Sequence, residues 1–132
     1  MPEFQLTIKM IKRYEKLSTA KIKLKAITVF NAWIRNRDSG STCISCGLFK
    51  GDQAGHFYAA GSFNHMRFLE DNCHLQCTQC NFFKHGNLIP YRINLIKKIG
   101  IERVEKLDLL AADKGFHKDE RLRFIEIIYK YS

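Results

Sequence analysis

A chain of 132 residues is the length of one domain and leaves little room for two independent cores. Hydrophobic residues make up 45% of it, with ten Phe, five Tyr and one Trp, enough for a globular core, yet no run approaches the ~20 apolar residues that a membrane span requires. Lys and Arg outnumber Asp and Glu by 22 to 13, a formal charge of +9 that points to a polyanionic partner, either nucleic acid or an anionic membrane surface.

Met1 to Met10 is mixed and polar, with Glu3, Gln5 and Lys9 interrupting any apolar stretch, so no secretory leader is expected and a cytoplasmic, soluble protein is. Residues 1–17 read as a basic N-terminal segment. Lys9, Lys12, Arg13, Lys16, Lys21, Lys23 and Lys25 lie in a stretch whose one acid is Glu15. Over 18–38 the pattern turns helical: Ser18 or Thr19 is a suitable N-cap, and Ile22, Ala26, Val29, Phe30, Trp33 and Ile34 recur at intervals of three and four. The opposite face is Lys-rich. Trp33 at the inner end and a cysteine site soon after it point to docking on a folded core rather than on a membrane. A solvated basic face explains the lysines at least as well as phosphate contact does. Asp38-Ser39-Gly40-Ser41 ends the helix.

Two C-x-x-C turns follow, Cys43-Ile44-Ser45-Cys46 and Cys77-Thr78-Gln79-Cys80. Each turn lets two thiolates approach one metal, and together Cys43, Cys46, Cys77 and Cys80 supply the four soft ligands, at about 2.3 Å, of a closed tetrahedral structural zinc site. An odd total of five cysteines argues against a disulfide framework, and two such turns outside a βαβ unit argue against a thioredoxin-like redox motif. Cys73 is left over and reads as a small buried hydrophobe. Ligation needs deprotonated thiols, so a zinc-bound form carries about +7.

Between and beyond the turns the expected elements are short. Ala54-Gly55-His56-Phe57-Tyr58 reads as a strand, and a second extended piece over Met66-Arg67-Phe68-Leu69 leads through Glu70-Asp71-Asn72 to Cys73-His74-Leu75, the two forming a β-hairpin. Thr78 to Lys84 reads as a short helix closed by Gly86. A helix from Asn87 with Pro90 in its first turn, another over Ile101 to Leu107 and a last one over Asp119 to Tyr131 complete the chain. Repeats and low-complexity tracts are absent. The fold class is α+β: a hairpin and helix on a four-cysteine zinc site over residues 41–87, flanked by the 18–38 helix and by C-terminal helices over 87–131, as a single domain of residues 18–132.

His56 is of the type a phosphodiester hydrolase uses to take a proton from water, since a neutral imidazole titrates near physiological pH. A hard divalent cation, Mg²⁺ or Mn²⁺, held by oxygen ligands would neutralise charge on the phosphate. His56, Asn72 and Asn81 offer one imidazole and two amides for such a site.

The order Cys-x-x-Cys, Gly55-His56, Asn72, Cys-x-x-Cys-Asn81, Lys84 resembles the HNH, or ββα-metal, nucleases. A closer resemblance is to the NinG (Rap) recombination proteins of lambdoid phages. It is carried by Asn31-Ala32-Trp33-Ile34-Arg35, Cys43-Ile44-Ser45-Cys46-Gly47, Ala54-Gly55-His56-Phe57-Tyr58, the stretch Leu69 to Cys80, and Gly86-Asn87-Leu88-Ile89-Pro90-Tyr91-Arg92, covering roughly Val29 to Leu107. The resemblance implies a metal-dependent, structure-selective endonuclease for branched recombination intermediates, D-loops and Holliday junctions, working with phage or host recombination proteins. It makes His56 the general base, Asn81 a ligand of the catalytic metal, and Asn72 a residue that orients the hairpin. Many HNH enzymes place an acidic ligand just before the base, where this chain has Gly55. His74 is the first candidate to replace it, with Asp52, Asp71 and His85 behind, and the other possibility is that His56 is itself a ligand.

DNA contact is then expected from Arg67, Lys84, Arg92, Lys21 and Lys25. Exposed members of the set Phe57, Tyr58, Phe82 and Phe83 would stack on unpaired bases, although the usual place of such rings is the core. His65 and His117 carry no motif. A homodimer would suit a two-fold junction. Two other classes stay open: a zinc-stabilised DNA-binding module without cleavage, and a structural protein whose basic helix serves a protein partner.

Overall fold

A computed structural model describes residues 4–115 and 119–132. Its helices are α1 (Ile8–Lys12), α2 (Thr19–Arg37), α3 (Leu88–Ile99), α4 (Ile101–Ala112) and α5 (Glu120–Tyr131), and its strands are β1 (Gln53–His56) and β2 (Cys73–Gln76). Among the described residues no helix is long and apolar enough to cross a membrane. The chain forms two compact units, one of residues up to Trp33 with the C-terminal segment, the other of Ile34–Gly115.

In the first unit α2 starts where Ser18 Oγ accepts from the Lys21 backbone N–H at 3.2 Å, which satisfies one of the free donors at a helix start. Ile22, Ala26 and Phe30, four residues apart, are fully buried. Phe124, Ile125, Ile128 and Tyr131 of α5 are buried in the same unit, and the Tyr131 ring stands edge-on to Phe30 and Trp33 at 5.0 Å. Asp119 caps α5 by accepting from Arg121 and Leu122. The short α1, capped by Thr7, lies within what the sequence reads as a plain basic segment. His117 lies outside the described residues.

The second unit is built on the antiparallel pair β1–β2, with Gln53 opposite Gln76 and His56 opposite Cys73. The link between the strands is not the extended piece expected at Met66–Leu69. Asn64–Met66 and Glu70–Asn72 are 3₁₀ turns, and Arg67 is helical at φ −56°. Met66 and Phe68 are both buried, so their spacing mimics a strand while the backbone coils between them. The segment 78–84 is a π-helical turn over Gln79–Phe83, in which Lys84 N–H reaches back five residues to Gln79 O. Phe57, Met66, Tyr91, Leu95, Val104, Leu107 and Ala111 form the core beneath.

A buried ionic network, absent from the sequence reading, holds the hairpin. Asp38, only 5% exposed, takes a bidentate pair from Arg37 at 2.9 Å, the Lys98 ammonium at 3.0 Å and the Leu75 backbone N–H at 3.1 Å. Arg37 also donates to the carbonyls of Glu70 and Cys73. His74 sits in the same network with Nε2 2.8 Å from the Asp71 carbonyl, which can only accept, so the proton is on Nε2 and Nδ1 accepts from Lys98 at 2.8 Å. Burial, with the charge of Lys98, pushes the His74 pKa down to about 4 from its ordinary 6.5. Burial alone would raise the Asp38 carboxyl, but Arg37 and Lys98 hold it well below its ordinary value.

Both shifts weaken the fold in acid. The unfolded chain protonates His74 as pH falls through 6.5 while the folded chain resists until about 4, so roughly 3 kcal/mol is lost across that window. His74→Gln keeps an acceptor for Lys98 and a donor for Asp71 but does not titrate. Thermal melts between pH 7 and 4 should show a flatter decline for this variant than for the wild type; parallel curves would refute the assignment.

Candidate functional site

The four thiols come together. Sγ atoms of Cys43, Cys46, Cys77 and Cys80 lie within 4.8 Å of one another, and Cys46 and Cys77 are 3.8 Å apart. That separation is the edge, about 3.8 Å, of a tetrahedron whose corners lie about 2.3 Å from a central ion. The first knuckle turns because Gly47 takes φ +65° and its N–H reaches Cys43 O at 2.9 Å. In the second, Cys80 N–H and the Asn87 amide point at sulfur, each at 3.5 Å. Burial drives the Cys77 thiol up to about 12, while against the same effect backbone N–H groups of Phe49 and Leu48 hold Cys46 down to about 6. Thiols so crowded ionise together only around a cation. The donor set therefore fits a metal ion such as zinc. Cys73 takes no part: it is fully buried and its thiol is pushed up to about 12.

His56 ends β1. Its Nε2 lies 2.9 Å from the Arg67 carbonyl, so Nε2 carries the proton and the Nδ1 lone pair is left unengaged among the described residues. Burial lowers its pKa below 6.5; the hydrogen bond to the Arg67 carbonyl opposes that shift and the Arg67 charge sides with it. The Arg67 guanidinium is half-buried, its Nε has no hydrogen-bond partner and no carboxylate pairs with it among the described residues. A cation thus stands beside a neutral imidazole. Asn72, fully buried, locks this arrangement: Oδ1 accepts from Tyr58 N, and Nδ2 donates to the carbonyls of Tyr58 and Met66. It orients and cannot reach solvent.

Asn81, in the π-helical turn, donates to Gln53 Oε1 at 2.8 Å, and Gln53 in turn donates to Thr78. Strand alternation puts Gln53, Gly55, His74 and Gln76 on one face and Ala54, His56, Cys73 and Leu75 on the other. No hydrogen bond joins His56 and Asn81. His74 has both ring nitrogens engaged and is 1% exposed. Asp71 pairs with Arg103, Asp52 lines a hollow with Phe49, Lys50, Cys77, Thr78 and Gln79, and His85 is exposed at φ +50°. Apart from the four cysteines, the described residues gather no cluster of three or more His, Cys, Asp or Glu groups able to hold a metal.

Gly55 has a packing cause. A Cβ there would fall 1.7 Å from Gln76 Oε1. Gln76 is fully buried, its Nε2 anchored to Ser45 Oγ at 2.8 Å and Gly86 O at 2.7 Å, so it cannot swing aside without losing both bonds. Gln76 and Asp38 lie within stretches that carry the family resemblance, but the sequence assigns neither a role, and Gln53 carries no motif at all.

Of the expected DNA contacts, Lys84 and Lys21 are exposed and have no carboxylate partner among the described residues. Lys25 lies over the Tyr14 ring at 5.1 Å. Arg92 is neutralised by a bidentate pair with Asp108, at 2.9 and 2.7 Å, and Tyr58 donates to the same carboxylate. His65 contacts the Leu110 carbonyl.

Purified protein should contain about one zinc per chain by elemental analysis, and Cys77→Ser should lose it together with several kcal/mol of stability. A zinc-free variant that melts like the wild type would sink this. Gly55→Ala should cost roughly 1–3 kcal/mol by overpacking, and Gln76→Ala should relieve part of that cost in the double variant. Strict additivity of the two in denaturant titrations would show that the contact is not the cause.

A family model described as the bacteriophage Lambda NinG protein matches residues 5–132. The protein ninG of Escherichia phage lambda is 41% identical over 104 residues, covering 71% of this chain and 51% of the relative. That of Salmonella phage P22 is also 41% identical over 104 residues, with the same coverage, and that of Enterobacteria phage H19B is 45% identical over 80, or 59% of this chain and 40% of the relative. The chain thus spans about half the length of the lambda and P22 relatives. No solved structure matches it. Matched over nearly its whole length, from the basic segment through both cysteine turns to α5, the chain belongs to the NinG family of bacteriophage proteins.

Proposed function

We propose that the protein is a structure-selective DNA endonuclease acting on branched recombination intermediates, in which zinc on the four cysteines builds the scaffold and His56 is the general base. The observation that carries this reading is the His56–Arg67 pair. Nε2 is tied to a carbonyl, Nδ1 has no hydrogen-bond partner among the described residues, and the Arg67 guanidinium, with no carboxylate beside it, would draw a phosphate. A base held neutral below its ordinary pKa is ready at neutral pH. Asn72 positions the pair, and Lys84 and Lys21 supply further phosphate contacts.

The reading also calls for Mg²⁺ or Mn²⁺. The described side chains do not build a site for it: Asn81 is tied to Gln53, and His74 is closed within the Asp38 network. No step is therefore routed through that ion.

This same lack favours a second reading, a zinc-stabilised DNA-binding module without cleavage. The two part on one assay, in which purified protein is given a four-way junction or a D-loop with Mg²⁺ or Mn²⁺. The nuclease reading expects nicking that His56→Ala lowers at least about 100-fold while binding persists. It also expects the acid limb of the rate profile to fall below pH 6.5, and Arg67→Gln to move that limb upward by removing the charge that opposes His56 protonation. Binding without nicking under all these conditions would establish the second reading, and cleavage unchanged by His56→Ala would remove His56 from the base role.

A further inference from the structure

The two cysteine turns continue in parallel beyond their thiols. Cys43-Ile44-Ser45-Cys46-Gly47-Leu48-Phe49-Lys50 and Cys77-Thr78-Gln79-Cys80-Asn81-Phe82-Phe83-Lys84 share the form Cys-x-x-Cys-x-apolar-Phe-Lys. It is an eight-residue repeat, too short to mark a duplicated domain. One backbone bond repeats with it: Gly47 N–H reaches Cys43 O at 2.9 Å, and Asn81 N–H reaches Cys77 O at 3.0 Å. Beyond that bond the backbones differ, Gly47 turning at φ +65° and Asn81 continuing in the π-helical turn, yet each copy leads from the cluster to an exposed apolar pair and a lysine.

Those apolar pairs are outside the core. Leu48 and Phe49 are 81% and 57% exposed, and Phe82 and Phe83 are 70% and 63% exposed, the latter rings standing edge to face at 5.1 Å. One exposed apolar side chain needs no explanation, but four on the two turns that carry one cysteine cluster do. Lys50 and Lys84 follow directly, and neither has a carboxylate within ion-pair reach among the described residues. Asp52 is the acid that shares the hollow with Phe49 and Lys50.

An exposed ring beside an unpaired cation, presented twice, matches the two chemistries of a single nucleic-acid strand: the flat face of an unpaired base and the phosphate next to it. A protein groove would match the rings but leave both cations unexplained. We propose that the tips Leu48-Phe49-Lys50 and Phe82-Phe83-Lys84 form a two-pronged contact for unpaired nucleotides of DNA, Phe49 and Phe83 stacking on bases and Lys50 and Lys84 meeting the flanking phosphates. This rests on the nucleic-acid reading above and supplies its selectivity: a fully paired duplex offers no free base face.

The test uses the full chain and a three-way junction with a short unpaired gap carrying 2-aminopurine, beside a blunt duplex of equal length. Zinc content checks each variant's fold. Binding should quench the 2-aminopurine. Phe83→Ala and Phe49→Ala should each weaken gap binding roughly tenfold and abolish the quench, with duplex binding unchanged. Phe83→Trp should preserve both, whereas Phe83→Leu, equally apolar but unable to stack, should fail. Lys84→Gln should lower the salt slope for the gap by about 0.7. Equal losses on gap and duplex, or full binding by Phe83→Leu, would overturn the proposal. So would self-association of the wild type that Phe83→Ala abolishes without affecting DNA, which would mark the patch as a protein surface. Wild type that binds no DNA at all removes the nucleic-acid reading itself; His56-dependent nicking that survives in tip variants with unaltered gap preference removes this proposal alone.

Discussion

Four thiols within 4.8 Å of one another can share that space as anions only around a cation, and the rest of the second unit hangs on that condition. A pair of four-residue strands is marginal by itself in water. Here the second knuckle begins immediately after β2, and the first is bonded to it, Ile44 N–H meeting Leu75 O at 2.9 Å. Closing the cluster therefore ties down the Gln53–Gln76 end of a hairpin that its own hydrogen bonds would hold only marginally. Asp38 does the same from the other side, joining Arg37, Lys98 and the Leu75 backbone in one buried network. The ion network, and a metal held by the four thiols, would substitute for the apolar area that a unit of this size lacks.

That substitution explains why so many large apolar side chains are free to stand outside. The core of the second unit is small, and its rings, Phe57 and Tyr91, lie 5.2 Å apart across β1 and α3. Phe49, Phe82 and Phe83 stand outside that core, on the turns that carry the four cysteines. With an ion on the four thiols, they would be displayed on turns stiffened by ligation. A surface ring on a floppy loop loses conformational freedom when it stacks; one on a metal-closed turn has lost most of it already.

The parts of this architecture legible in the sequence are those with a local code. Cysteine spacing names the cluster, and the four-residue recurrence of Ile22, Ala26 and Phe30 names α2 almost to its ends. What the sequence hides is set by partners far along the chain. Met66 and Phe68 alternate as a strand would, yet the turn that holds them is decided by Asn72, whose side chain bonds Tyr58 and Met66. Gly55 reads as a missing ligand, and its cause is a glutamine twenty-one residues later. His74 has the right chemistry for a metal, and only Asp71 and Lys98, brought in by the fold, show both nitrogens to be taken. The eight-residue repeat lies in plain view but is too short to register beside the motif it contains.

The period of two in β1 has a last consequence for chemistry. With Gln53 and Gly55 on one face and His56 on the other, the amide of Asn81 is held toward the first face by Gln53. A base and a ligand on opposite faces do not make one site by themselves. On the nuclease reading it is Arg67, not Asn81, that organises the reacting phosphate around His56. Its carbonyl fixes the imidazole tautomer, its charge sides with the burial that keeps the ring unprotonated, and its guanidinium draws the anion. One residue thus supplies orientation and attraction while burial supplies the lowered pKa, and Asn72 holds the turn that presents it by bonding the carbonyl of its neighbour Met66. Lowering the basicity of His56 weakens it as a proton acceptor but keeps it available across neutral pH, a balance that favours a base near a permanent cation and short of a second metal ligand.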